Sequence, residues 1–419
     1  MRTATKKLVR RLTLLLATWP GLLLAQDFLP PEHLVRSAIS QQAEVLAANA
    51  RTEAAQARAR AYAAGTHEFQ LSASPRHRKT DREGNFREWE GEIGRAIRLP
   101  GKARLDRQIG LHGLNAAGLY LDDARHQAAR KLMAAWMNHL RTGLTADETR
   151  RQRDSLQRQR DALSRQMQLG DASRLDMNLF DAELAQAEAA CLQAETAQQA
   201  ARLDMMKEFP QIPLPEQIRP LPDPEPLSGT ADSWIELIVS RSHEIGAAEE
   251  NTTQQESIAA RARADRFADP SVGLRISSER DGEEKIIGLV FSLPLGGSYR
   301  RATAAAEGAT ATAMQSDAAA VRRTIEREAS LTVAAVDSML RQWQAQRLAY
   351  EAMTAANQRM RKAWELGEIG LAEHLLTERN ARQTALAEAN ARVDAWEARL
   401  NMLIDSHELW HSGHHDDNH

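Results

Sequence analysis

The residues of this 419-residue chain best suited to ligation chemistry crowd its last stretch, where His407, His411, His414, His415 and His419 stand among Asp416 and Asp417. Imidazoles so grouped hold zinc, copper, cobalt or nickel, and His407 and His411, four apart, would share a helix face. The competing reading is a polar, weakly chelating tail, because a His-rich tract is a compositional signal only. Cys191 is the single cysteine, which excludes an intramolecular disulfide and a thiolate cluster. Its Ala-rich surroundings read as a small side chain buried in a helix. Gly94 to Lys102 has the look of a phosphate loop, but the glycine spacing is wrong and Ala103 stands where Ser or Thr is needed. Leu295-Gly296-Gly297 lacks a following Lys, and GxSxG does not occur. No catalytic residue is assigned, no cofactor is expected, and the chain reads as a non-enzyme.

The elements that would position these residues come as a duplication. Leu99-Pro100-Gly101-Lys102 closes a strand-like stretch and opens a proline-free run to Phe209; Leu293-Pro294-Leu295-Gly296-Gly297 does the same for the rest of the chain. Far along each run lies a matching interruption, Leu169-Gly170-Asp171-Ala172-Ser173 and Leu366-Gly367-Glu368-Ile369-Gly370. Pro100 and Pro294 are separated by almost the same interval as Gly170 and Gly367, which marks an internal repeat.

Repeat one, 26–209, holds a helix over about Glu32 to Ala64, strands over about 68–76 and 87–98, a long helix over about 102–168, a tip at 169–173 and a helix over about 174–207. Repeat two, 231–406, follows the same order: a helix over about Asp232 to Arg266, strands over about 270–279 and 284–294, a long helix over about 298–365, a tip at 366–370 and a helix over about 371–405. Residues 210–230, with Pro210, Pro213, Pro215, Pro220, Pro222, Pro224 and Pro226, form a stiff extended linker. A tail, 407–419, ends the chain.

The strands alternate at period two. Trp89, Gly91, Ile93, Ile97 and Leu99 share one face with Arg95 as the exception, and Ile287, Leu289, Phe291 and Leu293 oppose Gly288, Val290 and Ser292. A membrane-spanning barrel strand has this pattern, as does the antiparallel sheet of a soluble domain. Two hairpins alone cannot bury such faces, so further copies or lipid must cover them. Each long run would extend ~100 Å at ~1.5 Å per residue and needs partners along its length. Thr142-Gly143-Leu144-Thr145 is the one place where the first long helix is expected to kink or to change its winding locally.

Composition bounds the rest. Aromatics are 5% of residues, and Ala, Arg, Gln, Glu and Leu dominate, a mixture typical of long helices. A net charge of −3 gives no general attraction to nucleic acid. Lys6, Lys7, Arg10 and Arg11 followed by Leu12 to Leu24 read as an export signal, 1–25, with the mature chain starting near Gln26.

The doubled order of helix, strand, strand, very long helix, glycine tip and shorter helix resembles the TolC-like outer-membrane efflux channels over about Gln26 to Ser406. Ser292-Leu293-Pro294-Leu295, its weaker counterpart Arg98-Leu99-Pro100-Gly101, and the two Leu-Gly tips carry the resemblance. It implies a mainly α fold with a small β part. Three protomers would share a 12-stranded transmembrane barrel, four strands each, above a helical tube in the periplasm of a Gram-negative cell. The partners implied are a periplasmic adaptor (membrane fusion protein) and an inner-membrane RND pump. The tips Leu169, Gly170, Leu366 and Gly367 would touch the adaptor. The acids six residues past each glycine, Glu373 and Asp176, would stand as rings near the closed end, where they attract cations. The family's second gate acid is Leu376 here. The His-rich end shifts the expectation toward the outer-membrane component of cobalt–zinc–cadmium (heavy-metal) RND efflux systems. The alternatives are a channel for drugs and organic compounds or for type I secretion, and, in another class, a periplasmic coiled-coil scaffold or metal-binding protein.

Overall fold

The computed structural model describes residues 28–410 apart from 171. The expected export signal, Asp171 and four of the five tail histidines (His411, His414, His415 and His419) therefore lie outside the described residues. The elements run α1 (Glu32–Ser40), α2 (Ala43–Ala64), β1 (Phe69–Thr80), β2 (Gly84–Ala96), α3 (Pro100–Leu169), α4 (Arg174–Glu208), α5 (Ala231–Ser240), α6 (His243–Ala264), β3 (Ser271–Glu279), a 3-10 turn, β4 (Glu284–Ser292), α7 (Ser298–Glu365) and α8 (Leu371–Asp405). This is a mainly helical fold with one small antiparallel sheet.

The helices expected over 32–64 and 232–266 are each broken once. Ser242 stops the second, since its hydroxyl accepts a hydrogen bond from Ile245 N and caps α6. Thr230 caps α5 with a reciprocal box to Ser233. Gly65, at φ +82, ends α2 in a backbone conformation that glycine adopts cheaply. By contrast, α3 passes through Thr142 and Gly143 without interruption. Gly143 makes room instead: a Cβ there would lie 2.0 Å from Ile218 Cδ1 of the proline-rich linker. The linker packs closely on helices, with Leu221 only 2% exposed and its carbonyl accepting from Arg392 Nη1 at 2.9 Å.

The chain divides into two compact units. One comprises the residues up to Val35, His139–Pro226 and Trp343–Val393; the other Arg36–Asn138, Leu227–Gln342 and Asp394 onward. In the first, Leu156 and Leu163 of α3, Phe180 and Leu184 of α4, and Leu371 and Leu375 of α8 form a buried apolar cluster, with Trp364 of α7 against it. Four helices thus meet in one core. In the second, Ile238, Ala329, Val333, Val336 and Met402 form the corresponding cluster from α5, α7 and α8. Cys191 is buried on α4, as its surroundings predict. Among the described residues no helix is long and apolar enough to cross a membrane.

All four strands belong to the second unit and join into one sheet in the order β1-β2-β3-β4, every pair antiparallel. The second strand lies at Gly84–Ala96, somewhat earlier than the 87–98 read from sequence, and β2–β3 pairing unites the two repeats.

Candidate functional site

The sheet sorts its side chains by register. Leu71 pairs with Ile93, Ile93 with Leu274, and Leu274 with Leu289, so one row across all four strands is aliphatic. On the rows either side of it on the same face stand Phe69, Arg95, Val272 and Phe291, and Ala73, Gly91, Ile276 and Ile287. Leu71 is 80% exposed and Leu289 84%, so nothing among the described residues covers the outer strands of that face. Its exception, Arg95, sits at the end nearer the helices, donates to His67 O at 2.7 Å and lays its guanidinium over the Phe69 ring. Its stem adds to the apolar face while its head reaches polar partners.

The opposite face carries the rows Gln70, Gly94, Gly273, Val290 and Ser72, Glu92, Arg275, Gly288. Arg275 bonds Glu92 at 2.8 Å and approaches Glu90 at 3.2 Å across the strands. Gly94 and Gly273 face each other so closely that a Cβ on either meets the other's Cα at 3.3–3.4 Å. One side is greasy and bare; the other is charged, hydrogen-bonded and studded with glycine.

Between strands and long helices lies an ion network invisible in the sequence pattern. Lys102, in the first turns of α3 and only 2% exposed, donates to Phe267 O at 2.6 Å and pairs with Asp265 at 2.9 Å and Asp269 at 2.8 Å. Asp269 also binds His67 Nε2 at 2.8 Å and Leu99 N at 3.3 Å. Asp106 joins Arg98 at 3.0 Å and Arg261 at 2.7 Å. Burial pushes the Asp269 carboxyl up, but the hydrogen bonds from Lys102, His67 and Leu99 N outweigh it and leave it below the ordinary value. Three cations and three carboxylates balance, which is how buried charges persist. The lysine that fails as a phosphate-loop residue thus joins the α3 start to the approach to β3.

The tips follow helix-termination chemistry. In repeat two Glu368 N bonds Ala363 O at 2.9 Å and Gly367 N bonds Trp364 O at 3.0 Å, with Gly367 at φ +76; this is a Schellman cap. In repeat one Gly170, at φ +89, donates to Met167 O at 3.1 Å in the equivalent place. Leu169 and Leu366, beside these glycines, are both exposed.

The two candidate gate acids differ. Glu373 stands in the first turn of α8 and is exposed. Asp176 is the partner of a capping box: its carboxylate accepts from Ser173 N at 3.1 Å and from Ser173 Oγ at 2.7 Å, while Ser173 Oγ accepts from Asp176 N. Leu376 is exposed beside Glu373.

Behind the second tip is a buried polar cluster that the sequence reading missed. His374 is fully buried, stacks on Trp364 with ring centroids 4.6 Å apart, and places Nε2 3.2 Å from Glu378. Gln159 donates to Glu378 at 3.0 Å, and Arg379 and Arg382 both clasp the buried Glu183. Burial raises the Glu378 carboxyl, but the hydrogen bonds of His374 and Gln159 and the charges of His374 and Arg382 prevail and hold it below its ordinary value. The i, i+4 spacing of His374 and Glu378 was the available signal.

His407 is the one tail histidine among the described residues. It lies two residues past the end of α8, at φ +60, against the rings of His126 and His243.

Compared with known proteins, the sequence matches no family model and no curated protein. Solved structures do match. A membrane protein from Pseudomonas aeruginosa superposes with a TM-score of 0.78 at 18% identity over 96% of each chain. The Campylobacter jejuni CmeC outer membrane channel superposes at 0.74 with 16% identity, over 91% of this chain and 87% of that one. CusC, a protein of transmembrane channel formation, superposes at 0.73 with 14% identity, over 90% and 91%. The chain has the fold of these outer-membrane channels.

Proposed function

We propose that the chain is an outer-membrane exit duct of a tripartite efflux system, passive in itself and driven through a periplasmic adaptor by an inner-membrane RND pump. One observation carries the reading: the Leu71–Ile93–Leu274–Leu289 row is bare on one face of a sheet whose other face is polar. A barrel in lipid needs its outside apolar and its inside polar, and closure removes the free edges of β1 and β4. Three protomers contributing four strands each make twelve, and the long helices α3 and α7 with α4 and α8 supply the periplasmic part. In this reading Leu169, Gly170, Leu366 and Gly367 meet the adaptor, and Glu373 forms a ring of carboxylates near the closed end. Asp176, already committed to its cap, is the weaker contributor to that ring. The histidine-rich composition of residues 407–419 favours heavy-metal cations as cargo.

Fractionation tests the duct. The full chain should sediment with outer membranes and stay trimeric in mild detergent; a monomer that is soluble without detergent overturns the reading. Deleting its gene and measuring sensitivity to zinc, cobalt and cadmium beside a panel of organic drugs separates the cargo classes. Increased sensitivity to drugs alone would leave the duct standing and remove the metal assignment.

A further inference from the structure

We infer that His126, His243 and His407, with Asp405, form a binding site for one divalent transition-metal cation of the zinc class. The three imidazoles come from three elements: the middle of α3, the first residue of α6, and the segment following α8. The rings of His243 and His407 lie with centroids 4.6 Å apart, and those of His126 and His407 5.5 Å apart. Two imidazoles on one tetrahedral ion, bound at ~2.1 Å, hold their centroids roughly 5 Å apart. The observed spacings straddle that figure. Three of the chain's 13 histidines therefore gather in one place, His407 lying against each of the other two.

The surroundings suit a cation. Asp405 brings Oδ1 to 3.3 Å from His126 Nε2, and a carboxylate against an imidazole either ligates beside it or fixes its tautomer. A cavity of about 390 Å³ adjoins the cluster, lined by all three histidines together with Asp405, Glu244 and Glu328. The opposing charges are Arg130, whose Nε is 3.5 Å from the same Asp405 oxygen, and Arg125, which lines a neighbouring cavity with the three histidines and is paired with Asp122 at 2.8 Å. His407 holds a left-handed backbone (φ +60) at a helix end where glycine is the ordinary residue. Such a conformation costs a non-glycine residue on the order of 1 kcal/mol or more, and it concentrates at functional positions.

Among the described residues no three donors already converge on one point. The His243 and His407 rings stack instead, with planes 22° apart. To share one ion these rings must turn about their χ angles out of the stack and exchange their present contacts for the metal, beside the adjoining cavity. The site belongs to the unit that holds the sheet, whereas the tips and Glu373 belong to the other. It stands whether or not the duct carries metal.

The test uses the full chain purified in detergent, stripped with a chelator, titrated with zinc by calorimetry and with cobalt(II) by visible absorption. Loss of a residue that merely orients a ligand weakens metal binding roughly 10–100-fold. His126→Gln, His243→Gln and His407→Gln should each weaken zinc binding by at least that much and bleach the cobalt bands. A chain shortened after Trp410 should keep one ion per protomer. If that truncation abolishes all binding, or if the three substitutions leave affinity unchanged, the inference fails. Should His126→Gln fold poorly through loss of its Asp405 contact, the partly exposed His243 carries the test. Failure here shows in binding alone and leaves the fractionation of the duct untouched.

Discussion

The bare aliphatic row is the place to challenge the duct hardest, and Leu289→Arg is the perturbation. Leu289 lies in the central one of three rows that are apolar apart from Arg95, flanked on its strand by Ile287 and Phe291. The row is therefore the best match to the bilayer midplane. An arginine there costs ~2–4 kcal/mol per protomer, so ~6–12 kcal/mol over the three copies of the proposed barrel. Per protomer this lowers the folded-to-unfolded ratio in lipid roughly 30- to 1000-fold. Ser72→Arg is the matched control. It sits on the neighbouring row of the opposite face, registered against Glu92, and gains an acid within reach. The assay is urea-dependent folding into phosphatidylcholine vesicles, followed by tryptophan fluorescence. Leu289→Arg should shift the midpoint strongly downward and Ser72→Arg should not. Equal midpoints would mean that both faces meet the same medium, and the assignment of lipid to one side would be wrong.

Lys102→Ala should destabilise the protein by ~3–5 kcal/mol, because Asp265 and Asp269 are left without their shared cation; Lys102→Met, which keeps the buried stem, should lose no more than the alanine variant, and thermal melts in detergent decide. Glu373→Gln should weaken cation over anion selectivity in planar bilayers, and an unchanged reversal potential removes Glu373 from the constriction. The lowered Glu378 carboxyl gives a pH dependence whose sign is set: a depressed acid stabilises above its ordinary value of 4.5 and loses that contribution as pH falls through its folded value. The stability gap between wild type and Glu378→Gln should therefore be constant near neutrality and shrink below about pH 4.5. A gap independent of pH would show that the His374–Gln159–Glu378 contacts do not favour the ionised form.

Much of the architecture was legible because repeats and periodicities are local properties of a chain. The doubled Leu-Pro and Leu-Gly segments announced long helices with glycine ends, and Gly170 and Gly367 take the positive φ that those ends require. Period two in the strands separated a greasy from a polar side before any pairing was known. What was illegible depended on partners distant in sequence. Gly143 read only as a weak point of the long helix, and that its missing side chain admits Ile218 of the linker appears with the fold. The capping box of Asp176 differs in kind, because its partner Ser173 stands three residues before it and is a local signal.

Sequence alone determined the elements and their duplication, since helix length, capping and face alternation follow from neighbours along the chain. Only the tertiary structure decided register and encounter. It aligned Leu71, Ile93, Leu274 and Leu289 in one row, sank Lys102 among aspartates, and brought His126, His243 and His407 to one cavity. The reason is physical: a contact between residues more than a hundred positions apart leaves no periodic mark, because each partner satisfies its own local pattern whether or not the other arrives.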